Sequence, residues 1–160
     1  MHYFLNIGSN LGNVRLNISR ALRAIEEKYG YFETSRIVES RPWRFISPNT
    51  FANIAVMVVT DRSCAEVLSD IKEIEGRLSP MPHRDDRGGY VDRVIDIDIM
   101  AADDTVIDTE DLTVPHPHLA ERHFFLEPFD ELAPLWRHPV TGLTCAEMLA
   151  RLPKTHGSFI

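Results

Sequence analysis

The segment Val94-Ile-Asp-Ile-Asp-Ile-Met100 alternates apolar and acidic residues with a period of two. In a strand, that period sends Asp96 and Asp98 to one side and Ile95, Ile97 and Ile99 to the other. The aspartate Cα atoms would lie roughly 6.5–7 Å apart, twice the rise per strand residue. Like charges at that spacing repel unless water or a cation stands between them, and carboxylate oxygens suit Mg²⁺. A solvated strand face is the plain alternative, because such alternation marks any half-buried strand. Upstream, Arg77, Arg84, Arg87 and Arg93, with His83 among them, supply cations. Beside two carboxylates they could grip a polyphosphate, arginines on the outer oxygens and metal between phosphates and aspartates. Arg77, at a helix end, and Arg93, directly before the strand, are better placed than Arg84 and Arg87, which read by default as solvated loop charges.

Leu112-Thr-Val-Pro-His-Pro-His118 precedes Glu121-Arg-His-Phe-Phe125, which brings His116, His118 and His123 close in sequence. Zinc is a poor fit, since no cysteine is near and proline-flanked histidines lack the helical spacing of a zinc pair. A phosphate contact from His116 or Arg122 stands against a purely structural turn. Gly8-Ser-Asn-Leu-Gly12 lacks the spacing and lysine of a P-loop and reads as a tight turn beside the site. Asn53 is a polar residue in an apolar run, either a hydrogen-bonded core amide or a reader of a polar ring edge. Phe51, Trp43 and Phe124 could wall such a ring, or simply fill the core.

The elements that must position these residues are legible from periodicity. Residues 2–8 read as a strand, and Asn13 to Tyr29 as a helix capped by Asn13 and ended by Gly30. Tyr31 to Glu39 and Phe51 to Thr60 read as strands. Ser63-Cys-Ala-Glu66 is a capping box opening a helix that runs to Gly76. Val94 to Met100 is a strand, Val106-Ile107 a hairpin arm, and Thr144-x-x-Glu147 caps a last short helix. Residues 41–50 and 78–92 are irregular stretches expected to close over a ligand. The order strand, helix, strand, strand, helix, strand is a ferredoxin-like βαββαβ core in an α+β fold. Its helices are expected on one face of an antiparallel sheet, with the other face free for a ligand.

The chain has 160 residues, of which 24 are acidic and 17 basic, for a formal charge of −7. Such acidity argues against duplex nucleic acid as a partner. No apolar run approaches the roughly 20 residues that span a bilayer, and the start lacks a signal-peptide layout. Two cysteines, Cys64 and Cys145, make no disulfide framework and read as reduced, half-buried thiols of a cytoplasmic protein. A single domain over residues 1–160 is expected, and nothing marks an interface, so a monomer is the default.

Taken together, these residues resemble the 6-hydroxymethyl-7,8-dihydropterin pyrophosphokinase family of the folate pathway over nearly the whole chain. The matching pieces are Ile7-Gly-Ser-Asn-Leu11, Glu39-Ser-Arg-Pro-Trp43, Phe51-x-Asn53, Gly76-Arg77, Asp92-Arg-Val-Ile-Asp-Ile-Asp98, Leu112-Thr-Val-Pro-His116 and Arg122-x-Phe124. The resemblance implies diphosphate transfer from ATP to the hydroxymethyl oxygen of the pterin, leaving AMP. It implies two Mg²⁺ ions on Asp96 and Asp98, and a pterin pocket of Ser40, Pro42, Trp43, Phe51, Asn53 and Phe124. Arg77, Arg93, His116 and Arg122 would contact ATP phosphates, and Ile99, Leu112 and Thr113 would lie near adenine.

The chain departs from the family pattern in places. A family glutamate four residues before the Gly-Arg is here Lys72; either a small shift moves Glu73, one position off, into the ATP contact, or that contact is changed. Gly-Pro-Arg becomes Val91-Asp92-Arg93, the glycine after Pro-Trp becomes Arg44, and a further arginine becomes Ser79. Tyr90 is a weak match for an aromatic closing over the pterin. A metal-dependent phosphohydrolase and a noncatalytic ferredoxin-like binding module are the competing readings. Co-occurrence of Asn53 and its aromatics with the aspartate pair separates them from the leading one.

Overall fold

The computed structural model describes residues 1–40, 51–79, 94–153 and 158–159, the last two and Ser40 by backbone alone. Strand β1 (His2–Ser9) leads through a turn at Gly12, whose φ of 77° suits glycine, into helix α1 (Val14–Tyr29). The Asn17 amide fixes that turn, donating to Ser9 Oγ at 3.1 Å and to the Leu11 carbonyl at 2.8 Å. Asn13 caps α1 by accepting from the Leu16 amide, and Gly30 ends it, both as expected. Gly8 is not in the turn: it is still within β1.

Strands β2 (Phe32–Thr34) and β3 (Val38–Ser40) replace the single strand expected over 31–39. Both pair antiparallel with β4 (Phe51–Val59), but Ser35 to Ile37 stand opposite only Ile54 and Ala55, one residue too many. Ser35 absorbs the extra residue by bonding Ala55 twice, through its amide at 3.0 Å and its hydroxyl at 2.9 Å. Helix α2 (Cys64–Leu78) opens with the expected capping box and continues two residues past Gly76. The glycine has open space around it and ends nothing; the Ser79 amide closes the helix onto the Glu75 carbonyl at 2.7 Å. Strand β5 (Asp96–Ala102) begins later and runs further than expected. Its pairing with β1 slips by one residue at Met100, so that Met100 and Ala101 both turn to the same side. The hairpin β6 (Ile107–Asp108) and β7 (Thr113–Val114) follows.

The six-stranded sheet has the order β5-β1-β4-β3-β8, where β8 is Ser158–Phe159 and β2 also pairs β4. The first strand therefore lies between the third and last strands of the βαββαβ core, and the fold is α+β and ferredoxin-like. One face buries Tyr3, Leu5 and Ile7 with Ile54, Val56, Ile97 and Ile99 under α1 and α2.

The other face is not free, contrary to expectation. Helices α3 (His123–Leu132) and α4 (Cys145–Ala150) cover one end of it, packing Phe125, Phe129 and Met148 on Phe4, Ala55 and Met100. Pro128, inside α3, hid that helix from the sequence reading, since a proline in a helix interior removes a hydrogen bond. The carbonyl it orphans belongs to Phe124, and the buried Asn6 amide of β1 donates to it at 3.3 Å instead. Cys64 and Cys145 are fully buried rather than half-buried, and burial pushes the Cys145 thiol up to about 12. Among the described residues no helix is long and apolar enough to cross a membrane.

Asp70 ties α1, the β4–α2 turn and α2 together. It accepts from Arg62 at 2.7 and 3.0 Å and from the Tyr29 hydroxyl at 2.7 Å, with Lys28 at 3.6 Å. Burial alone would raise this carboxyl, but the Arg62 and Tyr29 bonds and the nearby cations outweigh it and hold Asp70 below its usual range. A depressed carboxyl stabilises the fold above the ordinary carboxylate pKa and loses that contribution as pH falls through its folded value. Asp70→Asn should therefore cost about 1–3 kcal/mol at neutral pH. The gap to wild type should narrow below pH ~4. Urea unfolding at both pH values checks it, and a pH-independent gap would contradict it.

Candidate active site

The uncovered end of the second face holds most of the chemistry-bearing residues. Register alone puts Asn53 of β4, Gly8 of β1 and Asp96 of β5 in one row, and Ala55, Asn6 and Asp98 in the next. Neighbours in such rows share a face. Asp96 and Asp98 are half-buried while Ile97 and Ile99 between and beyond them are buried on the opposite face. The spacing read from the sequence thus yields one acidic face.

Gly8 is where a side chain would not fit. A Cβ there would stand 2.9 Å from Asn53 Oδ1 and 3.6 Å from the Phe51 ring. The bare backbone lets the buried Asn53 amide lie across β1 toward the acidic row. Phe51, half-buried, sits beside it.

His116 reaches the aspartates from the other direction. Its amide bonds the Met100 carbonyl at 2.9 Å, and its Nε2 lies 3.7 Å from Asp98 Oδ1. The His118 amide donates to His116 Nδ1 at 3.1 Å, so the neutral ring carries its proton on Nε2, facing Asp98. The Phe125 ring backs this histidine edge-on at 5.0 Å and also carries the Arg122 guanidinium 4.9 Å from its centroid. Phe124 packs on Phe125 at 5.3 Å and lies 5.8 Å from the same guanidinium. One aromatic cluster at the start of α3 therefore gathers His116, Arg122 and Phe124, and His116 carries it to Asp98.

Beyond β5 opens a cavity of about 200 Å³, whose walls include Ile97, Asp98, Ile99, Leu112, Thr113 and His116. Ile99, Leu112 and Thr113, singled out in the sequence as a group, meet here. Lys72 also lines the cavity. Glu73, expected in that role, is instead exposed and pairs with Lys28 of α1 at 3.6 Å. One residue along a helix turns the side chain by about 100°, so Lys72 and Glu73 face different ways. Arg77 is exposed in the last turn of α2. Ser40 is fixed by backbone pairing with Phe51. Pro42, Trp43, His83, Arg84, Arg87, Tyr90 and Arg93 lie outside the described residues. Sequence reasoning missed Asn6 and Glu75 as parts of this region; only the proline at 128, which frees a carbonyl, could have pointed to Asn6.

Residues 4–134 match the family model described as 7,8-dihydro-6-hydroxymethylpterin-pyrophosphokinase. The chain is 35% identical over 137 residues to the 2-amino-4-hydroxy-6-hydroxymethyldihydropteridine pyrophosphokinase of Aquifex aeolicus, covering 86% of this chain and 83% of that one. It is 37% identical over 153 residues to the folic acid synthesis protein FOL1 of Dictyostelium discoideum, covering 94% of this chain but only 22% of that protein. A crystal structure of wild-type Plasmodium falciparum HPPK-DHPS with SDX-DHP superposes with a TM-score of 0.71 at 17% identity, over 94% of this chain and 44% of that one. That likeness concerns the fold.

The Gly8–Asn53 approach gives a test that needs no ligand. Gly8→Ala should cost about 1–3 kcal/mol through overpacking. Most of that cost should vanish in an Asn53→Ala background, because the clash is with that one side chain. Denaturant unfolding of the double-mutant cycle checks it; purely additive losses would contradict the contact.

Proposed function

This chain belongs to the 7,8-dihydro-6-hydroxymethylpterin-pyrophosphokinase family, and from that premise we propose that it transfers diphosphate from ATP to the hydroxymethyl oxygen of the dihydropterin, leaving AMP. The observation that carries this reading is the row Asn53–Gly8–Asp96 beside the cavity rimmed by Asp98, Ile99, Leu112, Thr113 and His116. A buried amide, an acidic pair and a recess of about 200 Å³ lie on and beside neighbouring strands of one sheet.

In this reading the pterin lies between Phe51 and Phe124, with Asn53 matching its polar edge; Ser40, Pro42 and Trp43 complete the pocket. Adenine enters the cavity against Ile99, Leu112 and Thr113. The phosphates extend between the two, met by Arg77, Arg93, Arg122 and His116. Lys72, not Glu73, is the α2 side chain at the nucleotide. The hydroxymethyl oxygen forms a bond to the β-phosphorus, and the bond from that phosphorus to the oxygen bridging the α-phosphorus breaks. AMP leaves with the bridging oxygen, and the hydroxyl proton is released. The chain's residues contribute alignment and charge neutralisation, which is what phosphoryl-type transfer requires.

Asp96 and Asp98 suit Mg²⁺. Mg²⁺ retains several waters and takes one or two carboxylates plus substrate phosphate, not an all-protein cage. Among the described residues there is no group of three or more His, Cys, Asp or Glu able to hold a metal. Two Mg²⁺ ions held there would neutralise the phosphate oxygens. We further propose that residues 1–160 act as one domain, monomeric and cytoplasmic, with no nucleic-acid or membrane partner. The two buried free cysteines accord with a reducing compartment.

With Mg²⁺, ATP and 6-hydroxymethyl-7,8-dihydropterin, AMP and pterin diphosphate should appear in equal amounts by chromatography. ADP or free phosphate as the main product would replace this reading with an ordinary kinase or a hydrolase. Asp96→Asn and Asp98→Asn should each lower turnover by at least about a hundredfold, a loss of roughly 2.7 kcal/mol of transition-state stabilisation. Circular dichroism should show an unchanged fold. Near-normal rates at saturating Mg²⁺ would remove the aspartates from the chemistry.

A further inference from the structure

Glu75 is a carboxylate buried beside the edge strand, and diphosphate transfer as described above makes no use of it. Among the described residues strand β5 ends the sheet, and β1 alone pairs with it. Gly8 faces Asp96 and Asn6 faces Asp98 in that pairing, with Ile97 between them. One Glu75 oxygen accepts from the Ile97 amide at 2.6 Å, and the other lies 3.3 Å from Lys72 Nζ. Successive amides of a strand point to opposite edges, so an amide taken by a helix side chain is one directed away from β1. Ile97 is itself 1% exposed, and without the carboxylate its N–H would be a buried donor with no ladder partner.

We propose that Glu75 is a positioning residue for the Asp96–Asp98 pair. It fixes the outer edge of β5 at the residue between the two aspartates, while Lys72 supplies the opposite charge that lets a third carboxylate remain buried beside them. Edge strands are held on one side only and open more readily than central ones. Two like-charged side chains on such a strand push it to splay, whereas Mg²⁺ demands near-octahedral donor geometry. A hydrogen bond that orients a ligand's own support is a recurrent way of meeting that demand. Lys72 thereby has two faces, one closing the Glu75 pair and one on the cavity wall.

This inference rests on the reading in which Asp96 and Asp98 bind Mg²⁺ with ATP. The test compares Glu75→Leu, which removes the acceptor, with Glu75→Gln, which keeps an oxygen for the Ile97 amide. In Glu75→Leu, hydrogen exchange at the Ile97 amide, followed by NMR, should accelerate at least about tenfold, the size expected for one lost buried hydrogen bond. The β1–β4 amides should keep their protection. The Mg²⁺ concentration giving half-maximal AMP formation should rise by a similar factor. Glu75→Gln should restore both quantities to within about threefold, because the amide acceptor is what matters.

Wild-type Mg²⁺ dependence and Ile97 protection in Glu75→Leu would overturn the proposal. So would a Glu75→Gln protein as impaired as Glu75→Leu, which would assign the effect to charge rather than to the clamp. If Glu75→Leu fails to fold, Ile97 exchange in Glu75→Gln decides: protection supports the clamp and its loss refutes it. Full activity in Asp98→Asn would instead sink the diphosphate-transfer reading itself, a result separable from any of these.

Discussion

Strand β1 is the constraint from which the site follows. It is hydrogen-bonded on both sides, to β4 and to β5, so the residues along it dictate which residues of its neighbours lie abreast. Neighbouring strands run about 4.8 Å apart. A row of three therefore spans roughly 10 Å, and Asn53 and Asp96 are set at that separation with only Gly8 between them. A slip of one residue would turn Asn53, Asp96 and Asp98 into the apolar layer beneath α1 and α2. That layer, which includes Leu5, Ile7, Ile54, Ile97 and Ile99, is buried, so the apolar core itself enforces the register that builds the site.

The same strand decides how far the second face is covered. Its earlier half presents Phe4, stacked on Phe129 of α3 at 4.8 Å, and its middle presents Asn6, bonded to the Phe124 carbonyl. Beyond Asn6 comes Gly8, which offers nothing for a helix to pack against. The cover accordingly stops at Phe124, whose ring closes the apolar layer and borders the open end. Pro128 is part of this arrangement, because its missing N–H leaves the carbonyl that Asn6 engages. A polar side chain in the middle of a sheet face is thereby satisfied by a break in the helix above it.

Much of this was legible in the sequence, for reasons that can be named. Period-two alternation disclosed the acidic face, and capping residues at Asn13, Ser63 and Thr144 disclosed three helix starts, because both signals act over a few residues. The break between β2 and β3 was not legible: it depends on Ser35 meeting Ala55 across the sheet, a contact between segments distant in the chain. Helix α3 was obscured by a proline whose cost is met by Asn6 of β1, far away in sequence. That Lys72 lines the cavity while Glu73 pairs with Lys28 was not legible, because spacing along a helix cannot say which neighbour faces the cavity until α2 is docked on the sheet. The Gly8 requirement, too, becomes visible only once Asn53 is opposite it.

Laid across the sheet, the proposed substrates follow the strand order. In that proposal the pterin would occupy β4 and β1, where Asn53 and Phe51 sit; the acidic pair is on β5; and the nucleoside would lie past the edge of β5, in the cavity lined by Leu112 and Thr113. The reacting phosphorus would then fall over the aspartates because they stand between the two proposed recesses, not because either recess reaches for it. This arrangement places two half-buried carboxylates on a strand that, among the described residues, is paired on one side only. Diphosphate brings more negative charge to the same place. Stability of the empty site and binding of the charged substrate are therefore opposed unless the edge is held from outside. Helix α2 meets that need with a carboxylate on a backbone amide, and its Lys72 with a positive charge on the cavity wall. A carboxylate that holds the peptide between the aspartates steadies the edge without itself occupying any of their oxygens.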